Sequence, residues 1–207
     1  LSLHDALPIF ICSFIALIVF SPLFLLISLA IVIDSSGPIF YLQQRVGRKG
    51  KLFWFIKFRS MYTHMSTGEK YGGKEAQQMY DKLIATQNMR DHILPKIDSD
   101  PRITRVGKIL RKTSLDELPQ LINVFLGTMS LVGPRPHLPA EVAKYEPWMK
   151  RLLVAKPGLT GYAQVFGRDT LPFEQEAQLE LYYIQHRSLA MDLQVLISTV
   201  RVVLGGR

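Results

Sequence analysis

Two adjacent carboxylates, Asp116 and Glu117, stand among cations: Arg102, Arg105, Arg111 and Lys112 precede them, and Arg135 follows between Pro134 and Pro136. Ser114-Leu115-Asp116-Glu117 has the form of a capping box, with Ser114 at the N-cap and Glu117 reaching back to it. Taken alone, that pattern is structural, because acids in a first turn complement the helix macrodipole by about 0.3 to 1 kcal/mol. The arginines shift the balance toward chemistry. Free amides at a helix start bind anions and favour an ionised carboxylate. Arginine binds phosphate oxygens two at a time, and an ionised aspartate in such company is a nucleophile toward phosphorus. Phosphoryl transfer, which depends on charge stabilisation, is the chemistry these residue types suggest.

The element that must position the pair is predicted to be a helix over Ile109 to Leu126, where Leu115, Leu118, Ile122, Phe125 and Leu126 keep helical spacing and Pro119 interrupts near the start. Upstream, Ile39 to Leu42 and Leu52 to Ile56 are rich in β-branched and aromatic residues and flank Gly47-Arg48-Lys49-Gly50, which predicts a β-hairpin. A polar surface helix is expected over Lys74 to Gln87, after the Gly72-Gly73 loop. Gly127, Gly133, Pro134, Pro136 and Pro139 predict an irregular loop. Asp192 to Leu204 is amphipathic and fits either a membrane surface or the core. Tyr182-Tyr183 fits either an interfacial aromatic contact or core packing.

The net charge of +8 suits an anionic partner: nucleic acid, anionic lipid or a phosphorylated metabolite. A single cysteine, Cys12, excludes an intrachain disulfide framework or a cysteine-based metal site. The five histidines show no metal-ligand spacing. Lys57 and Arg59 lie where either a phosphate or lipid head groups could engage them.

Between Asp5 and Asp34 there is no charged residue, and a membrane span needs only about 20 apolar positions. Ser21-Pro22 breaks this run in the middle, where proline removes a backbone donor. Two arrangements follow: a spanning helix kinked at Pro22, favoured by periodicity alone, or two short arms that enter and leave one leaflet. From Ser35 to Gly68 no acid occurs while Arg45, Arg48, Lys49, Lys51, Lys57 and Arg59 do, so the following domain is expected in the cytoplasm.

Several blocks occur in order: Ser21-Pro22, Ser36-Gly37-Pro38-Ile39-Phe40, Gln44-Arg45-Val46-Gly47, Lys57-Phe58-Arg59-Ser60-Met61, Arg111 through Leu121, Ser130-Leu131-Val132-Gly133-Pro134-Arg135-Pro136, and Pro157-Gly158-Leu159-Thr160-Gly161-Tyr162-Ala163-Gln164-Val165. Together they resemble the bacterial sugar transferases, the monotopic phosphoglycosyl transferases. The resemblance implies an α+β fold: a re-entrant membrane hairpin broken at Ser21-Pro22 over residues 1–34, then a mainly helical cytosolic catalytic domain over 35–207 with a small β-hairpin and amphipathic interfacial helices. It implies transfer of sugar-1-phosphate from a UDP-sugar to undecaprenyl phosphate with release of UMP, at the cytoplasmic face of the bacterial inner membrane. Asp116 would be the nucleophile and Glu117 its catalytic neighbour, both touching Mg²⁺. Arg111, Pro134, Arg135, Lys57, Arg59 and Arg168 would contact substrate. Gly127-Thr128-Met129-Ser130 and Phe166-Gly167-Arg168-Asp169 depart from the family's Gly-Asp-Met-Ser and Asn-Gly-Arg-Asn. No nucleic-acid partner is expected, since such a role leaves the apolar segment and the acidic pair unused. A catalytically silent scaffold on the same fold is the competing class, and a homodimer is left open.

Overall fold

A computed structural model describes residues 3–68, 70–88, 93, 97, 99–167 and 171–205. The first element, α1 (Leu3–Asp34), is a single helix that continues through Pro22. Proline has no N–H to offer the Ile18 carbonyl, and the Ser21 hydroxyl donates to that carbonyl instead at 2.8 Å. Ser-Pro therefore works as a local repair that lets the helix persist.

Both halves of α1 rest on the rest of the chain. Phe10 and Phe14 stack on Phe125, with ring centroids 4.5 and 5.9 Å apart, and Ile27 and Ile31 join Phe58 and Leu110 in a buried cluster. The outward side keeps Ile11, Ile15, Ile18, Leu25, Leu29 and Ile33 exposed.

The hairpin is present and longer than expected. β1 (Phe40–Val46) pairs antiparallel with β2 (Leu52–Phe58), Tyr41 opposite Lys57 and Val46 opposite Leu52. Lys49 (φ +58°) and Gly50 (φ +76°) turn the chain between them. The polar helix α2 (Gly73–Gln87) lies where its sequence placed it.

The expected helix over Ile109 to Leu126 is two helices. α3 (Arg105–Lys112) ends at Thr113, a single 3-10 turn covers Leu115–Glu117, and α4 is Gln120–Phe125. Ser114 takes the left-handed conformation (φ +56°), and its side chain caps nothing. Its N–H returns to the Arg111 carbonyl at 3.4 Å, and Leu115 packs back on the cluster that holds Leu110. Those are the marks of a helix stop. The capping box is thus a misreading: Ser114 closes the helix behind it and does not open one ahead.

Beyond α4, β3 (Ser130–Val132) runs parallel to β4 (Gly158–Thr160), a pairing that three-residue strands gave no periodicity to reveal. The two backbones touch here, since a methyl on Gly158 would lie 2.1 Å from Gly133 N. That contact accounts for glycine in both motifs. Between them lie α5 (Pro139–Val142) and a 3-10 segment, Met149–Val154. α6 (Tyr162–Phe166), α7 (Phe173–His186) and α8 (Leu189–Leu204) close the fold. α8 starts earlier than its hydropathy indicated because Ser188 caps it, accepting from Met191 N–H at 3.3 Å. Its inner side buries Val195, while Leu189, Leu193, Ile197 and Val200 remain exposed. Tyr183 is buried and donates to Asp192 Oδ1 at 2.6 Å, whereas Tyr182 is exposed, so the tyrosine pair divides between core and surface.

Candidate active site

Asp116 is buried in the 3-10 turn between α3 and α4, and Glu117 beside it is half-buried. The helix stop at Ser114 brings the pair back toward β2, where Lys57 stands. Burial pushes the Lys57 ammonium down to about 8; Asp116 and Glu117 pull against this, while Arg111 and Arg45 add to it. Lys57 Nζ also lies 5.3 Å from the centre of the Tyr41 ring. Arg45, one strand over, feels Glu141, Arg135 and Glu117, and burial holds its guanidinium down to about 10. The two sets of neighbours overlap, so Asp116, Glu117, Lys57, Arg111, Arg45 and Arg135 share one electrostatic neighbourhood.

Pro134 and Arg135 sit on the loop after β3. A small cleft opens beside them, lined also by Val46, Gly47, His137 and Tyr145. His137 is bonded through Nδ1 to the Tyr145 hydroxyl and meets Phe173 edge-on at 5.2 Å, a structural placement.

Arg59 is placed elsewhere. It is buried, and its guanidinium donates to the carbonyls of Ile31 (3.3 Å), Ser35 (2.6 Å) and Ser36 and to Thr63 Oγ1 (2.8 Å). These are the last carbonyls of α1 and its exit, which a helix leaves without partners. Asp34 returns the favour by accepting Val106 N–H at 3.0 Å, at the start of α3. Arg59 therefore welds the apolar helix to the domain. Arg102 is likewise committed, gripping Asp100 at 2.6 Å under Tyr80. Arg168 lies outside the described residues.

Three residues given no role by the sequence support the site. Arg45 reaches the loop carrying Arg135. Asn123 on α4 pairs with the free edge of β2, accepting Ile56 N–H (3.1 Å) and donating to the Trp54 carbonyl (2.7 Å), and its backbone carbonyl takes Thr128 Oγ1 (3.1 Å). Thr128, a departure from the family pattern, thus closes the end of α4. Glu180 is buried in α7, accepts Ala163 N–H at 3.1 Å through Oε1, and has no partner at Oε2 among the described residues. Arg45 lies in the Gln44-Arg45-Val46-Gly47 block, but Asn123 and Glu180 carry no such signal, since each acts across a long sequence separation.

Among the described residues no three His, Cys, Asp or Glu side chains converge as a metal cage. Mg²⁺ needs none: it keeps several waters and takes one or two carboxylates plus substrate phosphates. Asp116 with Glu117 fits that donor set.

The structure thus sets a buried carboxylate among strand and loop cations, in a chain whose first helix is long and apolar enough to cross a membrane. The chain belongs to the bacterial sugar transferase family, whose model it matches over residues 4–206. It is 40% identical over 200 residues to the undecaprenyl-phosphate galactose phosphotransferase of Salmonella typhimurium, covering 94% of this chain and 39% of that protein. It is 40% identical over 204 residues to the UDP-glucose:undecaprenyl-phosphate glucose-1-phosphate transferase of Xanthomonas campestris, covering 94% and 37%. The exopolysaccharide production protein ExoY of Sinorhizobium fredii is 37% identical over 191 residues, covering 92% and 81%. The chain therefore spans well under half of the first two relatives and most of the third.

Proposed function

We propose that the protein transfers sugar-1-phosphate from a UDP-sugar to undecaprenyl phosphate, releasing UMP, as a membrane step in polysaccharide assembly. The observation that carries this is the buried Asp116 carboxylate acting on Lys57, which also feels Arg111 and Arg45, in a chain whose relatives bear undecaprenyl-phosphate sugar-phosphate transferase names. Asp116 attacks the phosphorus that bears the sugar, the bond to the bridging oxygen breaks, and UMP departs with that oxygen. A phosphate oxygen of the acceptor then displaces Asp116, which regains its carboxylate. One difficult displacement becomes two. Lys57, Arg111 and Arg135 hold the phosphates and offset the charge that accumulates on them. Glu117 shares the acidic end of the site with Asp116. Bound there with the phosphates, Mg²⁺ would supply further charge neutralisation.

The apolar helix supports a placement within one leaflet. A bilayer core is about 30 Å thick, so a spanning helix parts its two ends. Here Phe10 and Phe14 near one end and Ile27 and Ile31 near the other rest on the same domain. The catalytic domain then lies on the cytoplasmic face, with the exposed stripe of α8 available to the interface.

Incubating the inserted protein with labelled UDP-galactose, UDP-glucose or UDP-N-acetylgalactosamine, undecaprenyl phosphate and Mg²⁺ is expected to release UMP. Asp116→Asn should abolish release, by more than about 10³-fold, and leave the protein folded and membrane-bound. Substantial turnover by that variant would remove Asp116 as nucleophile. A cysteine at Ser2, in a Cys12→Ser background, should react with an impermeant maleimide only from the cytoplasmic side. Periplasmic labelling would establish a spanning helix instead.

A further inference from the structure

Arg135 sits between two prolines, and that creates a mechanical problem. Pro136 has no N–H, and neither has Pro134, so at those two positions the backbone can be held only through its carbonyls. The Pro134 carbonyl accepts from Gly158 N–H at 2.9 Å, on the β4 side. The Pro136 carbonyl accepts from Arg45 Nη1 at 3.2 Å, on the β1 side. Arg45 is itself fixed, since its Nη2 donates to Gln43 Oε1 at 2.8 Å, its guanidinium lies 5.5 Å from the Phe55 ring centre, and Glu141 Oε2 is 3.6 Å away. Glu141 Oε2 also accepts Leu138 N–H at 2.7 Å, and the Val46 N–H donates to the His137 carbonyl at 2.9 Å. Arg45, its neighbour Val46 and its partner Glu141 thus each supply an anchor on this flank, beside the bond from His137 to Tyr145.

We propose that Arg45 is a positioning residue for the transfer reaction: by holding the Pro136 carbonyl it fixes the Pro134-Arg135-Pro136 segment and aims Arg135 at the phosphates of the UDP-sugar. This rests on the reading of Arg135 as a phosphate ligand. The role needs a planar fork. One ammonium cannot hold Pro136 and Gln43 at two separate nitrogens and stack on Phe55 as well, so lysine is no substitute here. With its guanidinium charged at neutral pH, Arg45 also adds to the positive potential in which the donor docks.

The test is a double-mutant cycle on the full chain, with UMP release measured against UDP-sugar concentration and folding checked by thermal melting. Arg45→Lys should lower kcat/KM about 10- to 100-fold, chiefly through KM for the UDP-sugar, with KM for undecaprenyl phosphate unchanged. Arg135→Ala should lose at least as much. Because Arg45 acts through Arg135, the double variant should match Arg135→Ala within about threefold. A merely structural arginine would give losses that multiply and would affect both substrates. Multiplying losses, or an Arg45→Lys enzyme within about twofold of the parent, overturn the proposal. Should Arg45→Lys fail to fold, Glu141→Gln, which keeps the bond to Leu138 but loses the charge, should raise the same KM more mildly; an unchanged KM there overturns it too. Wild-type donor kinetics in Arg135→Ala would instead overturn the phosphate-binding reading of Arg135.

Discussion

Glu180→Gln should remove the loss of stability that Glu180 causes as pH rises from about 4.5 to 8. Glu180 is almost fully buried, and burial pushes its carboxyl from 4.5 up to about 8; the Ala163 N–H pulls it back and Glu176 adds to the rise. Its Oε2 is buried without a partner among the described residues. A methyl on Gly161 would lie 2.5 Å from Glu180 Oε1, 2.8 Å from the Gly133 carbonyl and 3.3 Å from Gln164 Oε1, so oxygens crowd this spot. A proton on Glu180 gives it the hydrogen that such a cluster of acceptors lacks. The folded state therefore keeps its proton up to about pH 8, while the unfolded chain releases it above 4.5. Over that window the unfolded state binds fewer protons, so stability falls as pH rises and levels off above about 8. At about 1.4 kcal/mol per unit, the whole window amounts to roughly 5 kcal/mol.

Glutamine cannot ionise, and its amide can both accept from Ala163 and donate in place of the lost proton. Thermal melts of parent and variant in the same detergent, from pH 5 to 8, should therefore nearly coincide at pH 5. They should then diverge, with the variant ahead by on the order of 10 °C at pH 8. Other titrating groups cancel in the difference; Lys57, for instance, changes both proteins alike. A constant gap between the two curves over this range would refute the protonated, donating Glu180.

Lys57→Arg tests the depressed ammonium directly. In the parent, KM for the UDP-sugar should rise above about pH 8, by up to about tenfold per unit, as Lys57 loses its charge. In the variant that alkaline rise should vanish, because arginine stays charged; a steady-state pH profile shows which holds. Asn123→Ala should cost about 2 to 3 kcal/mol, since it strips the Ile56 amide and Trp54 carbonyl of their partner. A denaturant midpoint unchanged from the parent would show that water satisfies both groups.

The hairpin, the polar helix and the apolar segment were legible because each depends on near neighbours in the chain: alternation for β1 and β2, glycines and helix formers for α2, an uncharged run for α1. The parallel β3 and β4 were not, because strands of three residues have no period and their pairing rests on the glycine contact between Gly133 and Gly158. Arg59 shows the limit for single residues. A cation near a membrane exit has two uses, binding an outside anion or capping an inside helix end, and only the positions of the Ile31, Ser35 and Ser36 carbonyls decide.

Ser114 is the most consequential case, because both readings place Asp116 beside a helix end and differ in which end. As an N-cap it would have put the carboxylate on a helix N-terminus whose amides bind phosphate. As a left-handed stop it puts Asp116 on a lone 3-10 turn, where aligned peptide dipoles are too few to supply that field. The positive potential must then come from side chains on separate elements: Lys57 on β2, Arg111 on α3, Arg45 on β1 and Arg135 on the loop after β3. A helix dipole is fixed by its own backbone, whereas four side chains on four elements must be held in register by the fold. That requirement explains why so much of this small domain consists of ties between distant segments: Asn123 to the β2 edge, Arg59 to the end of α1, Arg45 to the Pro136 carbonyl. Loosening any one of them should weaken handling of the anionic donor before it unfolds the protein.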